Sequence, residues 1–382
     1  MRPGLARGGL FCASLLLSLA TAEGALRILR LSPNDSKSMD FTPHHPYRLI
    51  DNGSGEPPVV MVESTTTYQS YYACLGTDCK QDLRVEWRLN SFGMRDPERA
   101  LAKPAKTRRV LVLGDSFTVG YGVPVEDAYP QRLERLLNER PGKHPRFEVL
   151  NASVPGYSTY DEWKYLTKYG LRFKPDLIVV GLYLNDSEPW SPFFKPKNHP
   201  EMFESPEMKR LHRDFHEVSR NPYISNYNPT FEFHHRLLLL DWAQAAWLVW
   251  RTNPETIRLY RYLWSDRNWL GMRRFNEALD GLRAVQDERK IPVLVLVWPK
   301  LDWLDKGYPF DAIHGQIAEL CARRGLASMD MLPLLRGRKP STLWVHPSDH
   351  HPNAATHALA ADALMKRLAG DPAFAGALAP FR

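Results

Sequence analysis

Serine, aspartate and histidine side chains can together make a nucleophile, and this chain carries them at 116, 349 and 351. A serine hydroxyl is a poor nucleophile at neutral pH. It needs a base for its proton, a group that orients the base, and donors for the oxyanion that forms. Ser116 closes Leu111-Val112-Leu113-Gly114-Asp115-Ser116, where an apolar strand pattern runs into a small polar turn. Taken alone, that turn is a common cap for the next helix. Far along the chain, His346-Pro347-Ser348-Asp349-His350-His351-Pro352-Asn353 supplies imidazoles. There Asp349 and His351 stand two residues apart on a predicted loop, which leads into a helix over about 354–368 that Asn353 can cap.

Elements must bring these residues together. Two further segments have the same form, a buried strand ending in Gly or Asn. Phe147-Glu148-Val149-Leu150-Asn151 leads into Ser153-Val154-Pro155-Gly156-Tyr157, and Leu177-Ile178-Val179-Val180-Gly181-Leu182-Tyr183 leads into Asn185-Asp186. The wider pattern alternates: strand 110–113, helix 127–139, strand 147–150, helix 160–169 and strand 177–182, then helix 272–290, strand 292–298, helix 311–324 and a short strand near 327–331. Five strands separated by helices predict an α/β fold, a parallel sheet with helices on both faces. In such sheets ligands collect beyond the carboxyl ends of the strands, so Ser116, Gly156 and Asn185 can share one site.

Ser, Gly, Asn and His in four ordered blocks resemble the SGNH (GDSL-type) hydrolases, over about 110–368 apart from a long insertion. The resemblance implies a three-layer α/β/α flavodoxin-like fold with a five-stranded parallel sheet. It assigns Ser116 as nucleophile, His351 as general base and Asp349 as the orienter of the imidazole. The oxyanion hole would be the backbone N–H of Ser116, the backbone N–H of Gly156 and the side-chain amide of Asn185. Position 117 is Phe where the older family name has Leu, a residue that packs rather than reacts. One residue separates Asp349 from His351 where many members have two, a spacing that bacterial relatives share. His350 is therefore a rival base, and the Pro-Asn that follows His351 favours His351.

The activity implied is that of an exported bacterial esterase, removing acetyl or another small acyl group from an extracytoplasmic glycan or acylated small molecule. O-acyl transfer to a sugar hydroxyl would use the same residues. A carbohydrate-binding protein without catalysis would be expected to have lost them. No cofactor and no metal are implied, since His346, His350 and His351 have no companion ligands at a convincing spacing. A phosphate loop is excluded because Tyr121, not Lys, follows Gly120, and no G-x-S-x-G elbow occurs.

Residues 1–22 read as a signal peptide or N-terminal anchor, with Arg2 and Arg7 ahead of an apolar core and Ala20-Thr21-Ala22 as a small-x-small site. Cleavage is the favoured outcome, because about 13 apolar residues are short for a bilayer span. Leu26-Arg27-Ile28-Leu29-Arg30-Leu31 can instead prolong the helix into an anchor. Either way the catalytic part is placed outside the cytoplasm, with membrane association through the N-terminus possible. The formal charge of +7 falls to +5 without residues 1–22. No basic helix or RNA-binding signature points to nucleic acid, and no oligomeric state is implied.

Residues 23–105 form an N-terminal extension and 106–382 the hydrolase domain, with an insertion at 187–265. Arg95, in Leu89-Asn90-Ser91-Phe92-Gly93-Met94-Arg95-Asp96, is expected in an ion pair with a loop carboxylate rather than at the site. Cys74 and Cys79 can close a small disulfide loop or stay free, and Cys321 fits a buried helix position. The insertion carries Trp190, Trp242, Trp247, Trp250 and Trp264. These rings suit packing of a helical cap first, then stacking on sugars or contact with a membrane.

Overall fold

The structure, a computed structural model, describes residues 3–29, 36–49, 59–75, 78–142, 144–189, 205–219, 237–347 and 349–379. Helix α1 (Pro3–Ile28) opens the chain. It runs unbroken through Ala20-Thr21-Ala22, and its Phe11–Ile28 stretch is long and apolar enough to cross a membrane, with 6% of it buried. After it come β1 (Ser36–Thr42), β2 (Tyr47–Leu49), β3 (Val59–Met61), β4 (Thr66–Leu75) and β5 (Asp78–Arg88). β1, β4 and β5 form an antiparallel sheet in the order β1-β4-β5.

The register of β4 on β5 pairs Thr67 with Trp87 and Gln69 with Val85. Because alternate residues of a strand share a face, Thr67, Gln69 and Tyr71 point the same way. All three are fully buried, together with Val85 and Trp87. Trp87, Leu89 and Met94 belong to the same apolar cluster as the strands that follow, so this sheet is packed on the rest of the chain. The backbone sets Cys74 opposite Cys79. Their side chains, and hence the disulfide expectation, lie outside the described residues, as does Trp190.

The alternating part consists of β6 (Thr107–Gly114), α2 (Ser116–Val119), α3 (Tyr129–Asn138), β7 (Arg146–Asn151), α4 (Thr159–Lys168) and β8 (Leu177–Tyr183). Helices α5 (Pro206–Ser219) and α6 (Leu238–Leu263) lie in the insertion. The alternation resumes with α7 (Trp269–Arg289), β9 (Val293–Trp298), α8 (Asp311–Arg323) and β10 (Ala327–Asp330). Five parallel strands join in the order β10-β9-β8-β6-β7, the flavodoxin-like order. β8 and β9 are buried along their whole length, which is why they read as continuous apolar runs.

Arg109 sits within the otherwise apolar β6, fully buried. Glu148 stands beside it on β7 at 2.9 Å, and its remaining donors reach the carbonyls of Ala100, Leu101 and Phe173. The pair thus ties the connector ahead of β6 to the sheet, and its buried charge is matched by donors and acceptors.

The chain closes with α9 (Leu332–Leu335), β11 (Trp344–His346), β12 (Asp349–Pro352), α10 (Ala354–Gly370) and α11 (Pro372–Leu378). Asn353 caps α10, its side chain accepting from Thr356 N at 2.9 Å. Asp349 and His351 are not on an irregular loop. They lie on β12, which pairs antiparallel with β11, so a short two-stranded ribbon fixes their backbone. That ribbon carries no apolar alternation, which left it without a strand signal in the sequence.

Candidate active site

Three loops meet at the carboxyl end of the parallel sheet. Gly114 at the end of β6 pairs with Gly181 of β8, and Val154 N donates to Gly114 O at 2.9 Å. Ser116, Gly156 and Asn185 therefore follow closely on neighbouring strand ends. Ser116 opens helix α2, where the first N–H groups have no acceptor within the helix. Asp115 caps that helix, its carboxylate accepting from Phe117 N at 2.8 Å. Gly156 has φ +77°, a left-handed conformation suited to glycine. Asn185 is half-buried, and its amide oxygen has no partner among the described residues.

Ser116 Oγ lies 2.8 Å from His351 Nε2. The other ring nitrogen, Nδ1, bonds Asp349 Oδ1, and that oxygen also accepts from the His351 backbone N–H at 3.0 Å. With Nδ1 protonated toward the carboxylate, Nε2 is left as the acceptor for the serine hydroxyl. Burial alone would push Asp349 up, but the His351 charge and the hydrogen bonds it receives hold its carboxyl down at about 2. Asp349 Oδ2 accepts from the Tyr71 hydroxyl of β4 at 2.7 Å, an arrangement the sequence did not disclose.

His350 turns elsewhere. Its Nδ1 meets Asp302 Oδ1 at 2.8 Å, and its ring stacks on Trp344 with centroids 3.5 Å apart.

The sequence profile of the GDSL-like lipase/acylhydrolase family matches residues 112–359. The chain belongs to that family. It is also 34% identical over 80 residues to an arylesterase of Vibrio mimicus, a stretch that covers 21% of this chain and 38% of that curated relative. Among solved structures it is similar to a lipase/acylhydrolase from Enterococcus faecalis, with TM-score 0.39 and 14% identity over 72% of this chain and 99% of the other. A two-domain esterase active on acetylated mannans gives TM-score 0.38 and 14% identity over 70% of this chain and 50% of the other.

In this GDSL-like lipase/acylhydrolase a small pocket opens beside the serine, lined by Ser116, Phe117, Tyr183, Lys300, His350 and His351, with Leu301 and Asp302 completing it. Phe117 stacks on Tyr183 at 4.0 Å, giving one aromatic wall. Lys300 and Asp302 pair at 2.7 Å on the loop after β9 and bring charge to the lining. Burial would raise the Asp302 carboxyl, but Lys300 and His350 hold it well below the usual range. The insertion reaches the aromatic wall through Tyr260, whose hydroxyl is 3.3 Å from that of Tyr183. Trp264 is buried and bonds Leu184 O at 2.7 Å, whereas Trp242 and Trp247 are exposed.

Among the described residues Arg95 bonds no carboxylate. Fully buried, it donates to the carbonyls of Val119, Gly120, Val123 and Glu86, and stacks over Trp87 at 4.5 Å. Its guanidinium thus clamps the turn that follows the serine helix, a role that backbone acceptors fill as well as an acid would.

Beneath the serine turn lies a group of buried acids. Burial raises Asp115 to about 6. Burial, and then the charges of Asp186 and Asp115, lift Glu162 well above the carboxylate range. Asp186 is lifted by burial and by Asp115. Both Glu162 oxygens and Asp186 Oδ1 lack partners among the described residues, as expected of acids kept protonated. Folded values above the unfolded ones near 4 mean that this contribution to stability is complete below pH of about 4. It is lost as pH rises through about 6 for Asp115 and higher for the other two. The Tm is therefore expected to fall as pH rises from about 4 through 6 and beyond, each acid that is still protonated in the folded chain but ionised in the unfolded one adding a slope of about 1.4 kcal/mol per pH unit. Glu162→Gln should flatten that fall in a calorimetric series, and an unchanged fall would contradict the assignment.

Proposed function

We propose that this chain is a serine esterase working through an acyl-enzyme. The observation that carries the reading is the hydrogen-bonded line from Ser116 Oγ through His351 to Asp349 at the carboxyl end of the sheet. Ser116 attacks the ester carbonyl while His351 Nε2 takes the hydroxyl proton, and Asp349 holds Nδ1–H and stabilises the imidazolium. Charge on the carbonyl oxygen falls to the N–H groups of Ser116 and Gly156 and to the Asn185 amide. His351 passes its proton to the departing alkoxide. It then takes one from the water that attacks the acyl carbon, and returns it to Ser116 as the acid leaves.

The substrate of this reading is an O-acyl ester, acetyl in the first place, on an extracytoplasmic glycan. The narrow cavity beside Ser116 suits a small acyl group. The apolar helix α1 suits export with the catalytic part outside the cytoplasm. Exposed Trp242 and Trp247 on α6 suit stacking on sugar rings.

A fluorophosphonate probe tests the chemistry. Wild type should be labelled and Ser116→Ala should not. An unlabelled wild type, or equal labelling of both, would remove the enzyme reading. Acetate released from an acetylated polysaccharide, compared with release from an aryl acetate, tests the glycan.

A further inference from the structure

Asp349 is oriented from two sides, and one of them is the N-terminal sheet. Its Oδ1 receives both the Nδ1–H and the backbone N–H of His351. The partner of Oδ2 among the described residues is the Tyr71 hydroxyl at 2.7 Å. Tyr71 is fully buried, and burial followed by the Asp349 charge raises its phenol well above the ordinary value, so it stays a donor. The phenolic oxygen in turn accepts from Gln69 Nε2 at 2.6 Å. Which way the Gln69 amide points is settled by its other end. Gln69 Oε1 accepts from Trp87 Nε1 and from the Gly122 backbone N–H, both at 2.9 Å, and neither group can do anything but donate.

Every hydrogen bond in this line therefore has one possible direction, ending on the carboxylate. Gly122 also belongs to the turn after the serine helix, so Gln69 ties the nucleophile's segment to the support of Asp349. The packing there is close. At Gly122, with φ +74°, a Cβ would stand 2.7 Å from Tyr71 Oη and 2.5 Å from Val345 Cγ2. Residues 69, 71 and 87 all precede the stretch that matches the family profile, 112–359.

We infer that Tyr71, seated by Gln69, is a positioning residue that acts on the reaction through Asp349, making the N-terminal sheet a working part of the site. The inference rests on the serine-esterase reading. By donating to Oδ2, Tyr71 fixes the carboxylate plane so that Oδ1 faces His351, and it draws off part of the charge that the imidazolium would otherwise feel. A purely structural Tyr71 would need only its ring, which packs 5.0 Å from His346.

The test is Tyr71→Phe in the full chain, assayed with 4-nitrophenyl acetate. Removing one charge-assisted hydrogen bond should lower kcat about 10- to 100-fold with KM changed by no more than about 3-fold. The acid limb of kcat/KM should move up by about 0.5 pH unit, because Asp349 then offers its full charge to the imidazolium. In an Asp349→Asn background the same change should have almost no further effect, since the two act as one unit. A kcat within about 2-fold of wild type, or a full effect retained in the Asn background, would overturn the proposal. Should Tyr71→Phe fail to fold by circular dichroism, 3-fluorotyrosine at 71 keeps shape and hydroxyl while donating more strongly. It should move the acid limb down, and an unmoved limb would overturn the proposal. Fluorophosphonate labelling of wild type separates this outcome from failure of the esterase reading: a labelled wild type with an unaffected Tyr71→Phe sinks only the positioning role.

Discussion

Ser116→Ala is expected to lower kcat for ester hydrolysis by about 10⁶-fold, with KM little changed. In the proposed mechanism the alanine removes the atom that would bond to the acyl group. Among the described residues that line the cavity the one other hydroxyl is that of Tyr183, and His351 Nε2 is already aimed at position 116. What remains is attack by water at a carbonyl still polarised by the oxyanion donors, worth about 10³-fold over water alone. Ser116 Oγ makes its hydrogen bond to His351, so the fold should survive the change and Tm should shift little. Steady-state hydrolysis of an aryl acetate by the purified variant measures this. Activity above about one hundredth of wild type would mean that another residue attacks.

Asp349→Asn is expected to cost about 10⁴-fold in kcat near neutral pH. The asparagine is close in size, and its oxygen can still accept from Tyr71. Its amide nitrogen would then face His351 Nδ1, where an N–H now stands. Two donors cannot face each other, so the imidazole must place its proton on Nε2. The nitrogen beside Ser116 then ceases to be a base. Part of the activity should return as pH is raised and hydroxide can take over the proton transfer. A loss below about 10-fold would show that His351 keeps its tautomer without a carboxylate.

The parallel sheet was legible in the sequence because β8 and β9 are buried on both faces, which compels unbroken apolar runs. Ser116, Gly156, Asn185 and His351 were legible because each follows a strand end or precedes a helix cap in a fixed order. Tyr71 and Gln69 were not. Their effect depends on a partner 278 residues away, and polar residues on a strand read as its solvent face, although here Thr67, Gln69 and Tyr71 line the buried one. Lys300 and Asp302 gain meaning only when the loop after β9 meets β12, a contact without any local signature. Arg95 was expected to find a carboxylate, yet three carbonyls of a tight turn and one of β5 satisfy a guanidinium equally well.

Glu23 follows directly on Ala20-Thr21-Ala22, and its carboxylate receives the first N–H groups of α6, from Leu238 at 3.1 Å and Leu239 at 3.0 Å, while gripping Arg27 at 2.7 Å. A cut after Ala22 would make this residue the start of a new chain. It would add a free ammonium to the very residue whose carboxylate compensates the positive end of α6, and so offset that carboxylate. A cut at that point would thus loosen the seat of the insertion. With α1 in place, Glu23 ties it to α6, the helix that carries Tyr260 to the Tyr183 side of the cavity beside Ser116.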